Sequence, residues 1–207
     1  MAKWKQGKAD FIAYYDKKVL EMKWSTQKFA HILVTLQFGL APENVNPIFQ
    51  AMKKAPPSWR WWIRLHPAML DRKSEIKQEL DNCGITDYEL DEATDLPLCA
   101  LLGHCDVHVT HSSSTVIEAE YFEVPSVLTS EYGVELYPDH IRSGWAISAS
   151  TAEEIARAIL VQLNRKQSLT QLEPSSRSYD NDGMTFVLNL LKARRNGGLL
   201  DEGENGI

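Results

Sequence analysis

Between Asp106 and Leu128 the chain reads DVHVTHSSSTVIEAEYFEVPSVL, and four hydroxyl side chains, Ser112, Ser113, Ser114 and Thr115, stand together in it. They follow a short run in which Val107 and Val109 alternate with polar residues. The next apolar positions, Val116, Ala119 and Tyr121–Phe122, recur at helical spacing, Pro125 closes that helix, and Ser126–Val127–Leu128 reads as extended. A strand that opens at its carboxyl end into a Ser-rich turn and then a helix gathers hydroxyls and unpaired backbone N–H groups at one point. The helix dipole adds a preference for negative charge. The chemistry of such a turn is anion binding, phosphate first. A capping box from Thr115 to Glu118 would explain two of these residues without any ligand, but one cap does not need three further serines. Glu118, one helical turn on, could reach back to the cap or take up a ribose diol.

A second candidate is His66, which directly follows an apolar strand and so belongs on the carboxyl edge of the same sheet. Pro67 restricts His66 to an extended backbone. A loop histidine of no consequence is the alternative to a phosphate contact. Arg64, two residues earlier, could add positive charge or pair with an acid, and Gln37, ending the first strand, is a further accessory candidate at that edge. His104, Cys105, Asp106, His108 and His111 are close in sequence, as metal ligands are. On a strand His108 and His111 project to opposite faces, so no metal site is expected. Neither GxGxxG, GxxxxGK[ST] nor GxSxG occurs, which removes the usual dinucleotide, P-loop and hydrolase-elbow signatures.

The elements that must position these residues alternate. His31–Leu36 reads as a buried strand, Asn46–Lys54 as a helix, Ser58–Leu65 as a Trp-rich strand and Asp71–Cys83 as a helix closed by Gly84. Tyr88–Asp91 reads as a weak strand, and Leu96–Leu102 as a helix with Pro97 in its first turn. Past Leu128 come a loop or short helix through His140, a strand Trp145–Ser148, and a helix Thr151–Asn164. That helix carries a Thr151/Glu154 capping box and a stripe of Ile155, Ile159, Leu160 and Leu163. The spacing predicts an α/β, Rossmann-like parallel sheet of about six strands with helices on both faces, ligands lying at the strands' carboxyl ends. Residues 29–195 form this domain. Residues 1–28 form a Lys-rich amphipathic arm and 196–207 a flexible tail, with a polar loop at 168–182 and a last helix at 184–194 between.

The chain has 207 residues, 43% of them apolar, which suits one globular domain. A formal net charge of −6 argues against wholesale binding to nucleic acid. No run approaches the roughly 18 apolar residues of a membrane span, and the amino terminus lacks a signal pattern. The three cysteines, Cys83, Cys99 and Cys105, read as small core residues in a reducing, cytoplasmic compartment. The lysines of the arm face water or, alternatively, a partner domain or the inner face of a membrane.

Several of these pieces together resemble the carboxyl-terminal, donor-binding half of GT-B glycosyltransferases, nearest to bacterial enzymes of the capsule and surface-polysaccharide type. They are Arg64-Leu65-His66-Pro67, Leu96-Pro97-Leu98-Cys99-Ala100-Leu101-Leu102, Asp106-Val107-His108-Val109-Thr110, Ser112 through Ala119, and Val124-Pro125. The resemblance spans about residues 30 to 160. It implies a CMP-, CDP- or UDP-activated sugar as ligand, with no metal or other cofactor. His66 and Ser112, Ser113, Ser114 and Thr115 would hold phosphate, and Glu118 the ribose. The acceptor-binding half, which usually supplies the general base, has no counterpart here, so a separate domain or subunit is implied and no catalytic residue is assigned. A sugar-nucleotide 2-epimerase, a glycerophosphotransferase-like domain and a non-catalytic nucleotide-sugar module share the architecture and stay open.

Overall fold

The computed structural model describes residues 13–22 and 30–172. The expected last helix and tail lie outside them, as do the rest of the arm and most of the polar loop. The strands are β1 (Ala30–Leu36), β2 (Trp59–Leu65), β3 (Tyr88–Glu89), β4 (Val107–Thr110), β5 (Ser126–Leu128) and β6 (Ala146–Ser148). They form one sheet in the order β3-β2-β1-β4-β5-β6, with every pairing parallel. The chain therefore winds outward from β1 to β3, returns to β1's other side with β4, and winds outward again.

Alternation along the strands divides the core. Ile32, Val34 and Leu36 of β1 share one face with Trp59, Trp61, Ile63 and Leu65 of β2 and with Val107 and Val109 of β4. Against this face pack α2 (Pro42–Lys54), α3 (Lys73–Asn82) and α9 (Ala152–Leu172). The opposite face presents Leu33 and Trp62. It is covered by α1 (residues 13–21), α4 (Asp91–Asp95), α5 (Leu98–Leu102) and α6 (Thr115–Tyr121). Val19 and Met22, from α1 and the residue after it, are buried here, and Asp16 pairs with His104 at 3.2 Å, so this part of the arm is a core element.

Several boundaries differ from expectation. Helix α2 starts one turn before Asn46, with Pro42 in its first turn, where a missing N–H costs nothing, and Pro47 falls inside. Asp91 opens α4 instead of ending β3. The stretch 67–72 is a 3-10 turn preceding α3. Helix α6 ends at Tyr121, before Pro125 can act. Val124 N–H bonds the Ala119 carbonyl at 2.8 Å and Glu123 N–H bonds that of Glu120 at 2.9 Å, a Schellman closure. The 151–154 capping box is present, with Thr151 N–H to Glu154 at 3.0 Å and Glu154 N–H to Thr151 Oγ1 at 3.3 Å. Leu160 is 51% exposed, and Ala158 and Gln162 take its place in the buried stripe of α9. Of the cysteines only Cys105 lies in the core; Cys99 is exposed.

The second face also carries buried polar groups, several of them paired with one another, although Trp62 Nε1 is buried without a hydrogen-bond acceptor among the described residues. His108 is fully buried between Thr35 Oγ1 at 2.8 Å and Ser126 Oγ at 3.0 Å, a side-chain chain linking β1, β4 and β5. Thr110 donates to the Thr35 carbonyl at 3.1 Å. A buried polar group without a partner is costly, so the three strands must keep this register.

Burial pushes the His108 pKa down from 6.5 to about 3. Between those values the unfolded chain binds the proton that the folded one refuses. Stability is therefore full above 6.5 and falls with pH, by at most about 1.4 kcal/mol per pH unit. His108→Asn should lower stability at neutral pH, through unmet Thr35 and Ser126 hydroxyls, and flatten the acid-side slope. Urea denaturation across that range measures both; an unchanged slope would refute the assignment. Glu123 holds a left-handed backbone at φ 56°. Glu123→Gly should raise stability by about 1 kcal/mol, read in the same assay.

Candidate functional site

With every strand parallel, all carboxyl ends meet one edge of the sheet. The order of strands reverses direction between β1 and β4, and ligands of open parallel sheets bind where the loops after two such strands diverge. The β1 loop begins at Gln37 and the β4 loop at His111. The β2 loop begins at His66, whose N–H bonds the Leu36 carbonyl at 3.1 Å and so ties that loop to the end of β1. Since β1 lies between β2 and β4, the His66 and Ser112 loops stand two strand spacings apart, about 10 Å, on one edge.

The hydroxyl cluster is divided in its work. Ser112 is buried, and its N–H bonds Gln37 Oε1 at 2.8 Å while its Oγ meets Gln37 Nε2 at 3.4 Å and His111 Nδ1 at 3.1 Å. Ser113 N–H bonds Thr110 Oγ1 at 3.4 Å. Ser113 Oγ accepts from Thr115 N–H at 3.3 Å and donates to Thr115 Oγ1 at 3.0 Å. The expected Thr115/Glu118 capping box is therefore absent. Thr115 is already the first helical residue and is buried, and Ser113 does the capping. Ser114 is exposed, and neither its hydroxyl nor its amide has a partner among the described residues. Three hydroxyls shape the turn; the fourth faces solvent at its tip.

His66 is exposed, and its Nδ1 accepts the Ala68 N–H at 3.1 Å, which caps the 67–72 turn. That bond leaves the proton of a neutral ring on Nε2, a donor pointing away from the turn. Arg64 is tied to the chain. Its Nη1 donates to the carbonyls of Ala93 at 2.9 Å, Thr94 at 3.1 Å and also Leu96, closing the carboxyl end of α4. Burial lowers the Arg64 pKa, against which the Glu118 charge is the largest opposing influence. Glu118 is half-buried; burial raises its pKa and the Arg64 charge pulls it back. The bonds of Arg64 to Ala93 and Thr94 are not readable from spacing, because nothing in the sequence reading marks α4.

The β5 loop completes the edge. Ser130 caps α7 (Glu131–Leu136), accepting Gly133 N–H at 3.0 Å, and donates to the His111 carbonyl at 2.8 Å. Tyr137 OH reaches the Ser112 carbonyl at 3.4 Å. No sequence signal marks either residue as part of this edge. A β-carbon on Gly133 would lie 2.5 Å from the His111 carbonyl oxygen, so glycine lets α7 approach the β4 loop. Gly133→Ala should cost about 1–3 kcal/mol of stability by forcing the two apart. Thermal and urea unfolding test this, and a variant as stable as the parent would refute it.

No family model and no curated protein matches the sequence. In fold, 84 chains of solved structure match. The spinosyn rhamnosyltransferase SpnG matches at a TM-score of 0.56 and 14% identity, over 84% of this chain and 47% of that one. The UDP-GlcNAc 2-epimerase of Neisseria meningitidis, bound to UDP-GlcNAc, matches at 0.55 and 14%, over 85% and 48%. The C-terminal CMP-Kdo binding domain of WaaA from Acinetobacter baumannii matches at 0.53 and 18%, over 79% and 94%. The chain thus spans about half the length of the first two and nearly the whole of the third. Its fold is that of a GT-B half-domain, an α/β sheet of Rossmann-like topology.

Proposed function

We propose that this chain is the donor-nucleotide-binding domain of a glycosyltransferase that moves a sugar from a CMP-, CDP- or UDP-activated donor during surface-polysaccharide synthesis. The observation that carries this reading is the placement of Ser114 and His66, two outward-facing donors, on one edge about two strand spacings apart and flanking the switch point. In the reading, the Ser114 hydroxyl and amide and the His66 Nε2–H donate to phosphate oxygens. Ser112, Ser113 and Thr115 hold the turn that aims them. Negative charge gathers on the nucleotide as the glycosidic bond breaks, and donors fixed beforehand stabilise it without reorganising. Helix α6 has seven residues, so the individual N–H and O–H groups matter more than its dipole.

Glu118 takes the ribose. Its ionised form is disfavoured by burial, and two hydroxyls donating to the carboxylate would replace the lost water. Arg64 supports that charge from below while staying bound to α4. The general base and the acceptor site belong to a second domain or subunit, in keeping with a chain half as long as several of its fold neighbours. Among the described residues no helix is long and apolar enough to cross a membrane. Lys17 and Lys18 of α1 are exposed and suit peripheral contact with an anionic cytoplasmic membrane face. The similar fold match to a UDP-GlcNAc 2-epimerase keeps epimerisation as the second reading.

Calorimetric titration with CMP, CDP and UDP should give saturable binding to at least one. Ser114→Ala removes a hydroxyl that shapes nothing. His66→Asn keeps an acceptor for Ala68 N–H while removing the Nε2 donor. Each should weaken binding by about 1–3 kcal/mol with little change in melting temperature. A wild-type protein that takes none of the three nucleotides would overturn the reading. Joined to an acceptor half and given labelled donor, it should yield free nucleotide with transferred sugar; epimerised sugar would favour the alternative.

A further inference from the structure

Phe38 is the most exposed large apolar side chain among the described residues, at 66%. Leaving a phenylalanine in water forgoes the stabilisation its burial would bring, so its position matters more than its exposure alone. It stands in the β1 loop, beside the residue whose amide grips the Ser112 turn, and Gly39 turns the chain immediately after it at φ +82°. A side chain at Gly39 would be strained, so the direction of the loop is set there. Phe38 and the Ser114 donors thus stand on the loops that follow the neighbouring strands β1 and β4, and the Gln37–Ser112 bond joins those loops. A nucleotide held by its phosphate at Ser114 carries its base one ribose away. Of the exposed aromatics described, Tyr14, Phe38, Tyr121 and Tyr132, Phe38 alone lies on a loop directly after β1 or β4.

We propose that Phe38 is the platform on which the base of the bound nucleotide stacks, an inference that rests on nucleotide binding at the Ser114 turn. Stacking is tolerant of base identity, since each base has a π face. Phe38 therefore raises affinity for nucleotides over bare phosphates and leaves the choice of base to other groups. Titrations of wild type, Phe38→Ala and Phe38→Trp with CMP, CDP, UDP and inorganic pyrophosphate test it. Phe38→Ala should weaken the nucleotide that binds by about ten- to a hundredfold and leave pyrophosphate unchanged, while Phe38→Trp should restore or tighten the nucleotide. Equal losses for nucleotide and pyrophosphate would show a loop effect and overturn the inference. Unchanged nucleotide affinity in Phe38→Ala would overturn it alone, leaving the phosphate site standing. A wild-type protein that binds pyrophosphate and no nucleotide would overturn it together with the donor-binding function.

Discussion

The pair of contacts between Gln37 and Ser112 is what the candidate site depends on. The β1–β4 ladder ends where Thr35 faces Thr110, and beyond it the two loops leave in opposite directions. Past that last residue pair a side-chain amide takes over from backbone pairing, its oxygen accepting the Ser112 N–H at 2.8 Å. With Ser112 anchored, Ser113 is left to cap α6 and Ser114 is turned outward. Without the anchor the four hydroxyls would be a mobile polar loop with no preferred direction, and any ligand would have to order it at an entropic cost.

The two faces of the sheet divide the remaining labour. One is apolar from β2 to β5 and sealed by α2, α3 and α9, and it supplies most of the burial. The other threads His31, Thr35, Arg60, His108, Thr110 and Ser126 among Leu33 and Trp62. These polar groups contribute little net stability, but each accepts few partners, and so they fix the register that brings the strand ends level. The same face leads up to Arg64, whose charge acts on Glu118. A register slip by one residue would exchange the faces, taking His108 away from Thr35 and Ser126.

Much of the architecture was legible in the sequence. Strands of four to eight residues rich in Val, Ile and Trp, separated by helical spacing, can only be buried on both faces, and parallel pairing follows. The placement of His66 and Ser112–Thr115 at carboxyl ends followed too, because each stands immediately after an apolar run. The boundaries that misled were those where a local rule had a competitor. Asn46 lost to Pro42 as a helix start, and the Thr115/Glu118 box lost to Ser113, which lies nearer the strand end. Hydrophobicity alone puts Leu160 in the core, whereas the face of α9 turned to the sheet carries Ile155, Ala158, Ile159, Gln162 and Leu163 among its described residues.

The sequence by itself determined the alternation of strands and helices, the chemistry concentrated after β4, and the histidine after β2, since these depend on neighbours only a few residues apart. Tertiary structure decided which hydroxyl is offered to solvent, that Arg64 closes α4 while opposing Glu118, and that Gln37, Tyr137 and Gly133 support the β4 loop. Those contacts join residues as many as 75 positions apart, as Gln37 and Ser112 are. Their energies exist only once strand order has brought the ends together, and no local pattern encodes that meeting.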